Sequence, residues 1–289
     1  MPINKEILKT SHNQALAEKE LSEAKKVADL KAIFLLLLDD LENDIKPLSL
    51  PGLNSFRIKQ ASNAIVNTVD EYQSRINSEY IKAHNEFWDL GHKSIAKSFE
   101  QSGVAHNVIS FNNEEQNNLQ AMGDMLIKDV SAQVLSKIRN EINKVVTGQQ
   151  TNYDAVNNIT AELTDSGHFK SISSRAEFIL RNELNRAFAA AAQDTMSKFY
   201  DGGLKNFAKQ WVHSHNVSNP RLGHMPGGLP FTAHGQTRRP PEFYDVPVIN
   251  NKGVFLRVEK LLYPRYIGVG VTAENTINCG CYSEPIILY

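Results

Sequence analysis

Cysteine is nearly absent from this 289-residue chain, which has only Cys279 and Cys281. One residue apart, the two cannot easily bridge each other, because a disulfide wants Cα atoms about 4.4–6.8 Å apart with converging Cβ vectors. A disulfide framework is excluded, and a reducing compartment is the default. Long apolar runs are lacking too. The longest, Ala32 to Leu38, is followed by Asp39-Asp40 and falls far short of the ~20 residues of a membrane span. It reads as part of a helix buried on most of its faces, and no membrane span is expected. The start, Met1-Pro2-Ile3-Asn4-Lys5-Glu6, has no signal-peptide shape. Nor does charge of one sign dominate: the net charge is −1, and from residue 201 onward nine Lys and Arg face six Asp and Glu. That mild excess is not the basic stripe of a dedicated DNA-binding domain. Gly-x-Ser-x-Gly, the P-loop and Gly-x-Gly-x-x-Gly are all missing.

What is present is mostly helix. Residues from about His12 to Leu48 are rich in Ala, Leu, Lys and Glu, all good helix formers, and Ser49-Leu50-Pro51-Gly52 ends the run. In the next helix Ile65, Val69, Tyr72, Ile76, Tyr80, Ala83 and Phe87 recur at steps of three and four. The pattern repeats after eleven residues, close to the period of an unstrained helix. It predicts a long, straight rod in a bundle, packed against its own chain or against copies of itself. After Gly103 and Asn112-Asn113, a third helix carries Met122, Leu126, Val130, Val134, Ile138, Ile142 and Val145, and Gly148-Gln149-Gln150 closes it. A short helix near Tyr153 to Leu163 ends at Asp165-Ser166-Gly167. Ser174-Arg175-Ala176-Glu177 has the form of a capping box and predicts a helix start there, with the helix running to about Tyr200. Its alanines, Ala187 and Ala189 to Ala192, invite close approach of another helix. Arg181 and Glu183, two positions apart, are expected to reach different partners.

After Gly203 the pattern changes. Phe207 to Val212 reads as a strand, Asn216 to Pro247 mostly as loop, and Val246 to Ile249 and Gly253 to Val258 as short strands. Tyr263-Pro264 turns the chain, and Val269-Gly270-Val271 reads as a short extended piece. The expected fold is mainly α: a long-helix N-terminal region over 1–150, for docking or oligomerisation, then a small loop-rich α+β module over 151–289. Such a module needs extra ties. Four of the nine histidines (His213, His215, His224, His234) and both cysteines lie between Trp211 and Cys281. Two roles are open to them. One is a structural zinc site drawn from His213, His215, His224, Cys279 and Cys281, though the usual spacing is C-x2–4-C. The other is buried small thiols, with histidines bonding loop backbone. A Cys–His pair also begins a nucleophilic site, but the H-x-E with P-C-x-x-C deaminase pattern is absent. No cofactor is required by any motif.

The order of these residues resembles a known family. Arg181-x-Glu183 and its alanine-rich sequel, Trp211, Arg221-x-x-His224-x-x-x-Gly228, Tyr263-Pro264 and Asn278-Cys279-Gly280-Cys281 together resemble the phage Mu protein F-like family of minor head (head morphogenesis) proteins of tailed bacteriophages. The resemblance spans about residues 155 to 285. This chain has Gly280 where family members commonly have Arg, Gly227 where they often have Asp, and Arg265-Tyr266 where acidic or small residues usually follow the Tyr-Pro turn. The resemblance implies a non-enzymatic, low-copy virion component inside the capsid, assembled in the host cytoplasm. Implied partners are the portal protein, the major capsid or scaffolding protein, and double-stranded DNA, with homo-oligomerisation open. Some members of the wider family carry toxin domains; with Tyr289 soon after the motif, no fused effector is expected.

Overall fold

The computed structural model describes residues 3–49, 55–104, 113–163, 168–213, 221–226, 231–250, 252–277 and 279–288. It is mainly α, with long N-terminal helices and a small C-terminal module that contains strands. The helices are α1 (Lys5–Ile45), α2 (Ser55–Gln101), α3 (Asn113–Val146), α4 (Asn152–Leu163), α5 (His168–Asp201) and α6 (Ala273–Thr276), and the strands are β1 (Phe207–Val212), β2 (Thr237–Arg238), β3 (Tyr244–Ile249), β4 (Phe255–Leu261) and β5 (Tyr282–Ile287). A 3-10 turn, Lys46–Ser49, follows α1. No described helix is long and apolar enough to cross a membrane.

The chain forms two compact units. One comprises Met1–Glu23, His84–Leu119 and Asn182–Tyr289; the other comprises Ala24–Ala83 and Gln120–Arg181. Both draw on sequence from each side of residue 150, because α1, α2, α3 and α5 each contribute to both.

The second unit is all helical. Its core includes the predicted stripe of α2: Ile65, Val69, Tyr72, Ile76, Tyr80 and Ala83 are all buried. The chain itself covers this stripe. Three expectations change here. Ala32 to Leu38 is not buried on most faces; Phe34 and Leu37 face inward, while Leu35 and Leu36 are about half exposed. A single helix-width stripe suffices for α1 to pack, and the remaining leucines face outward. On α3 the inward row is Ile127, Val130, Val134, Ile138 and Ile142, whereas Met122 is exposed and Leu126 and Val145 are only partly buried. Gly123 sets this rotation. A Cβ there would lie 1.8 Å from the Tyr80 hydroxyl oxygen, so the row one step round from Met122 is the one that meets α2. Finally, α5 starts at His168, so Ser174-Glu177 lies inside the helix rather than at its cap. The Glu177 carboxylate instead accepts from Arg181 Nε at 3.2 Å and Nη2 at 3.1 Å. Two residues three apart are neighbours inside a helix as well as at its start, so the same spacing arises without a cap.

The first unit packs the ends of α1, α2 and α3 and most of α5 with all the strands. Leu8, Ile95, Phe99, Ala192, Met196, Phe199, Phe207 and Ile287 form one apolar cluster. The alanines of α5 do admit a close neighbour: a Cβ on Gly91 of α2 would stand 2.4 Å from the Phe188 carbonyl oxygen and 2.8 Å from the Ala191 methyl. β1 is the central strand of a three-stranded antiparallel sheet, order β2-β1-β5, with Trp211 opposite Ser283. β3 and β4 form a separate antiparallel hairpin with an irregularity between Val248 and Ile249. Sequence reading missed β2, β5 and α6. The predicted extended piece at Val269-Gly270-Val271 is a turn: Gly270 has φ 80°, and the Val271 amide donates to the Gly268 carbonyl at 3.2 Å.

Candidate metal centre

Three segments of the first unit bring the site together. β1 ends at Val212, so His213 follows directly from the central strand. Residues 221–224 form a turn in which the His224 amide donates to the Arg221 carbonyl at 2.9 Å. That turn lies flat on β3, because Gly223 has no Cβ; one would sit 2.4 Å from the Pro247 carbonyl oxygen. Cys279 and Cys281 precede β5, which pairs with β1 in register. The turn and the strands therefore meet at one point. Trp211 forms its wall, edge-on to His224 with ring centroids 5.3 Å apart and edge-on to Tyr244 at 5.2 Å.

At that point the ligand atoms of His224, Cys279 and Cys281 all lie within 4.8 Å of one another, and all three residues are buried. His224 Nδ1 is 3.4 Å from Cys279 Sγ and 3.6 Å from Cys281 Sγ. His213 Nδ1 approaches the same Cys281 Sγ at 3.6 Å and is also buried. The Cys281 amide donates to Cys279 Sγ at 3.4 Å. A hydrogen bond from the Cys281 thiol, with His224 and Arg265 close by, holds Cys279 well below the usual thiol range against the opposing effect of burial. Burial pushes Cys281 well above it. The guanidinium groups of Arg221 and Arg265 both interact with the two sulfurs electrostatically.

Behind the histidine runs a chain of hydrogen bonds. His224 Nε2 is 3.0 Å from Asn275 Oδ1, and Asn275 Nδ2 donates to Glu259 Oε2 at 2.9 Å. Glu259 in turn accepts from the Thr272 hydroxyl at 2.8 Å and from Arg257 Nη2 at 2.7 Å. A carboxylate only accepts, so the Asn275 amide nitrogen faces Glu259 and its oxygen faces the imidazole. His224 therefore carries its proton on Nε2, and the Nδ1 lone pair points at the sulfurs.

The other residues singled out in the sequence fall elsewhere. Arg181 and Glu183 take different partners, as expected. Arg181 pairs with Glu177, while Glu183 forms a buried pair with Arg186, whose Nη1 lies 2.5 Å from both carboxylate oxygens. Arg186 Nε also donates to the Arg265 carbonyl at 3.2 Å. Arg265 holds φ 71° in the turn that the Tyr266 amide closes on the Tyr263 carbonyl at 3.1 Å. Arg221 Nη2 donates to the Ile277 carbonyl, so it ties the histidine turn to the segment before the cysteines. His234 Nδ1 accepts from the His213 amide at 3.1 Å. His215, Gly228 and Asn278 lie outside the described residues. Sequence reading missed Arg186, Lys209, Glu259 and Asn275. Glu259 falls just past the strand expected to end at Val258, and only the longer β4, Phe255–Leu261, includes it. Asn275 gave no sign, because it stands 51 residues from the histidine it orients.

No protein-family model matches the chain, and no characterised protein and no solved structure matches it. The resemblance to the Mu F-like proteins thus rests on the chain's own residues.

Proposed function

We infer that this chain is a structural and interaction protein: a minor head protein of a tailed bacteriophage, of the Mu F-like kind. One observation carries the reading. His224, Cys279 and Cys281, which the resemblance selects by order alone, meet in one buried cluster, with Trp211 of the same set as its wall and partly buried Arg221 tied to the segment before the cysteines. A chance run of matching letters has no reason to meet in space.

The burial of the cluster supports a structural rather than an enzymatic role. A nucleophilic cysteine needs partial exposure and a path for substrate, whereas Cys279 is 3% exposed and His224 1%. On this reading the long helices dock on the portal protein or on the major capsid or scaffolding protein. The C-terminal module then faces the capsid interior and its double-stranded DNA. Quantitative mass spectrometry of procapsids and virions assembled by the phage or prophage that encodes the chain tests it. A few copies per particle are expected; absence from both kinds of particle overturns the reading.

A further inference from the structure

We propose that His213, His224, Cys279 and Cys281 bind one zinc ion that fastens the C-terminal module. This stands independently of the virion reading, since the site is defined by side chains and not by a partner.

The spacing is that of a shared coordination shell. Zinc binds thiolate sulfur at about 2.3 Å and imidazole nitrogen at about 2.0–2.1 Å in a tetrahedron. A nitrogen and a sulfur on one such ion stand about 3.6 Å apart. His224 Nδ1 lies 3.4 and 3.6 Å from the two sulfurs, while His213 Nδ1 lies 3.6 Å from Cys281 Sγ but outside the set of three residues whose ligand atoms all fall within 4.8 Å of one another. With the Cys281 thiol donating to Cys279, hydrogen bonding leaves the His224 Nδ1 lone pair facing sulfur with no proton between them. One ion held by His224, Cys279 and Cys281 accounts for both contacts of His224 Nδ1, and His213 completes the tetrahedron by closing on it from its place beside Cys281.

The surroundings point the same way. The proton on His224 Nε2 is fixed by Asn275 and Glu259. A metal-bound histidine typically has such a partner behind it, which sets its tautomer and ring orientation. The Cys281 amide directed at Cys279 Sγ supplies a donor to a thiolate sulfur. Thiolate and imidazole together suit zinc and exclude the oxygen-seeking ions calcium and magnesium. The single-residue spacer does not prevent binding, because both sulfurs face His224.

Binding is not a redox step. Two Zn–S bonds form, each S–H bond still present breaks, and its proton passes to solvent. Two thiolates then balance the charge of the ion, and the neutral imidazoles add none. Four protein ligands close the shell and leave no position for substrate, as in structural zinc sites. The ion would join the end of β1, the turn on β3 and the start of β5.

Elemental analysis of the full chain, purified without chelator, tests the proposal. One zinc per chain is expected. Exchange with Co2+ should give the visible bands of a tetrahedral site and sulfur-to-cobalt charge transfer. Cys279→Ser and Cys281→Ser should each lose the metal. If they fail to fold, Asn275→Ala keeps the question open to measurement: as a positioning residue it should weaken zinc affinity about 10–100-fold while the cobalt spectrum stays tetrahedral. Zinc well below one per chain, with cobalt producing no charge-transfer band in the wild type, overturns the site. Unchanged zinc affinity in His213→Ala overturns the ligand set, and loss of metal in His215→Ala would then name its replacement.

Discussion

The all-helical unit and the strand-bearing unit are held by different physics. In the helical unit the buried positions are nearly all apolar, and stripes on α1, α2 and α3, among them Ile65 to Ala83 on α2, supply the core. The strand-bearing unit buries Glu183, Arg186, Lys209, His213, His224, Glu259, Arg265 and Asn275. Each is an expense unless it is paired, so this unit depends on correct geometry among a few polar atoms. Apolar packing degrades gradually when it is damaged. A buried polar network fails at single residues.

The largest difference should come from Arg186. Its guanidinium neutralises Glu183 at 2.5 Å and holds the Arg265 carbonyl at 3.2 Å. Arg186→Ala leaves a carboxylate buried without its cation, a change that costs about 3–5 kcal/mol. Burial already raises the Glu183 pKa, and Arg186 opposes that rise. Without the arginine the pKa climbs further, and the native state then holds a proton that the unfolded chain releases. Stability of the variant should therefore fall as pH rises above the unfolded carboxylate value. Urea titrations followed by Trp fluorescence at pH 5 and pH 8 should show the greater loss at pH 8. An equal loss at both would mean that Glu183 is not the source.

In the helical unit the corresponding weak point is steric. Gly123→Ala places a methyl against the Tyr80 ring end, where the nearest atom would be 1.8 Å away. Overpacking of this kind costs about 1–3 kcal/mol. It should be insensitive to pH. Pairing it with Tyr80→Leu should cost less than the sum of the two single changes, because the clash and the cavity offset each other. Additive losses in chemical denaturation would show that α3 does not rest on Tyr80.

This contrast explains what could be read from the sequence. The α2 stripe was legible because helical packing repeats every few residues, so a window of twenty letters contains its own evidence. The ends of α1 and α3 and the strand at Phe207 were legible from local composition. The rotation of α3 was not, since it depends on Gly123 meeting Tyr80, 43 positions earlier. Cys279, Cys281, His213, His215 and His224 are candidates by residue type. Their fit is not legible in the sequence, because the one-residue spacing between the cysteines does not give their distance from either histidine in the fold. Glu259 and Asn275 were invisible: a second layer around a histidine has no preferred separation along the chain. β5 was missed for a related reason, since Tyr282 to Ile287 contains Pro285 and only pairing with β1 makes it a strand.

The subtlest test of the contrast is Lys209. It is fully buried on β1, donates to Gln193 Oε1 at 3.0 Å and to the Leu262 carbonyl at 2.5 Å, and faces the Tyr244 ring at 5.0 Å. No carboxylate hydrogen-bonds it among the described residues. Burial lowers its pKa to about 7, while a free lysine titrates at about 10.4. Between those values the unfolded chain binds a proton that the native state does not. By linkage, stability contributed at this site rises with pH across that window and is lowest below about pH 7. Lys209→Met removes the titration but leaves Gln193 Oε1 and the Leu262 carbonyl short of a donor, at about 1–3 kcal/mol. The variant should therefore lie closest to wild type at pH 6 and fall further behind toward pH 9. A flat difference would mean that Lys209 stays charged in the fold, with two carbonyl-type oxygens and one aromatic face sufficing to hold a buried ammonium. The strand-bearing unit would then tolerate unpaired charge better than the Glu183–Arg186 pair leads one to expect.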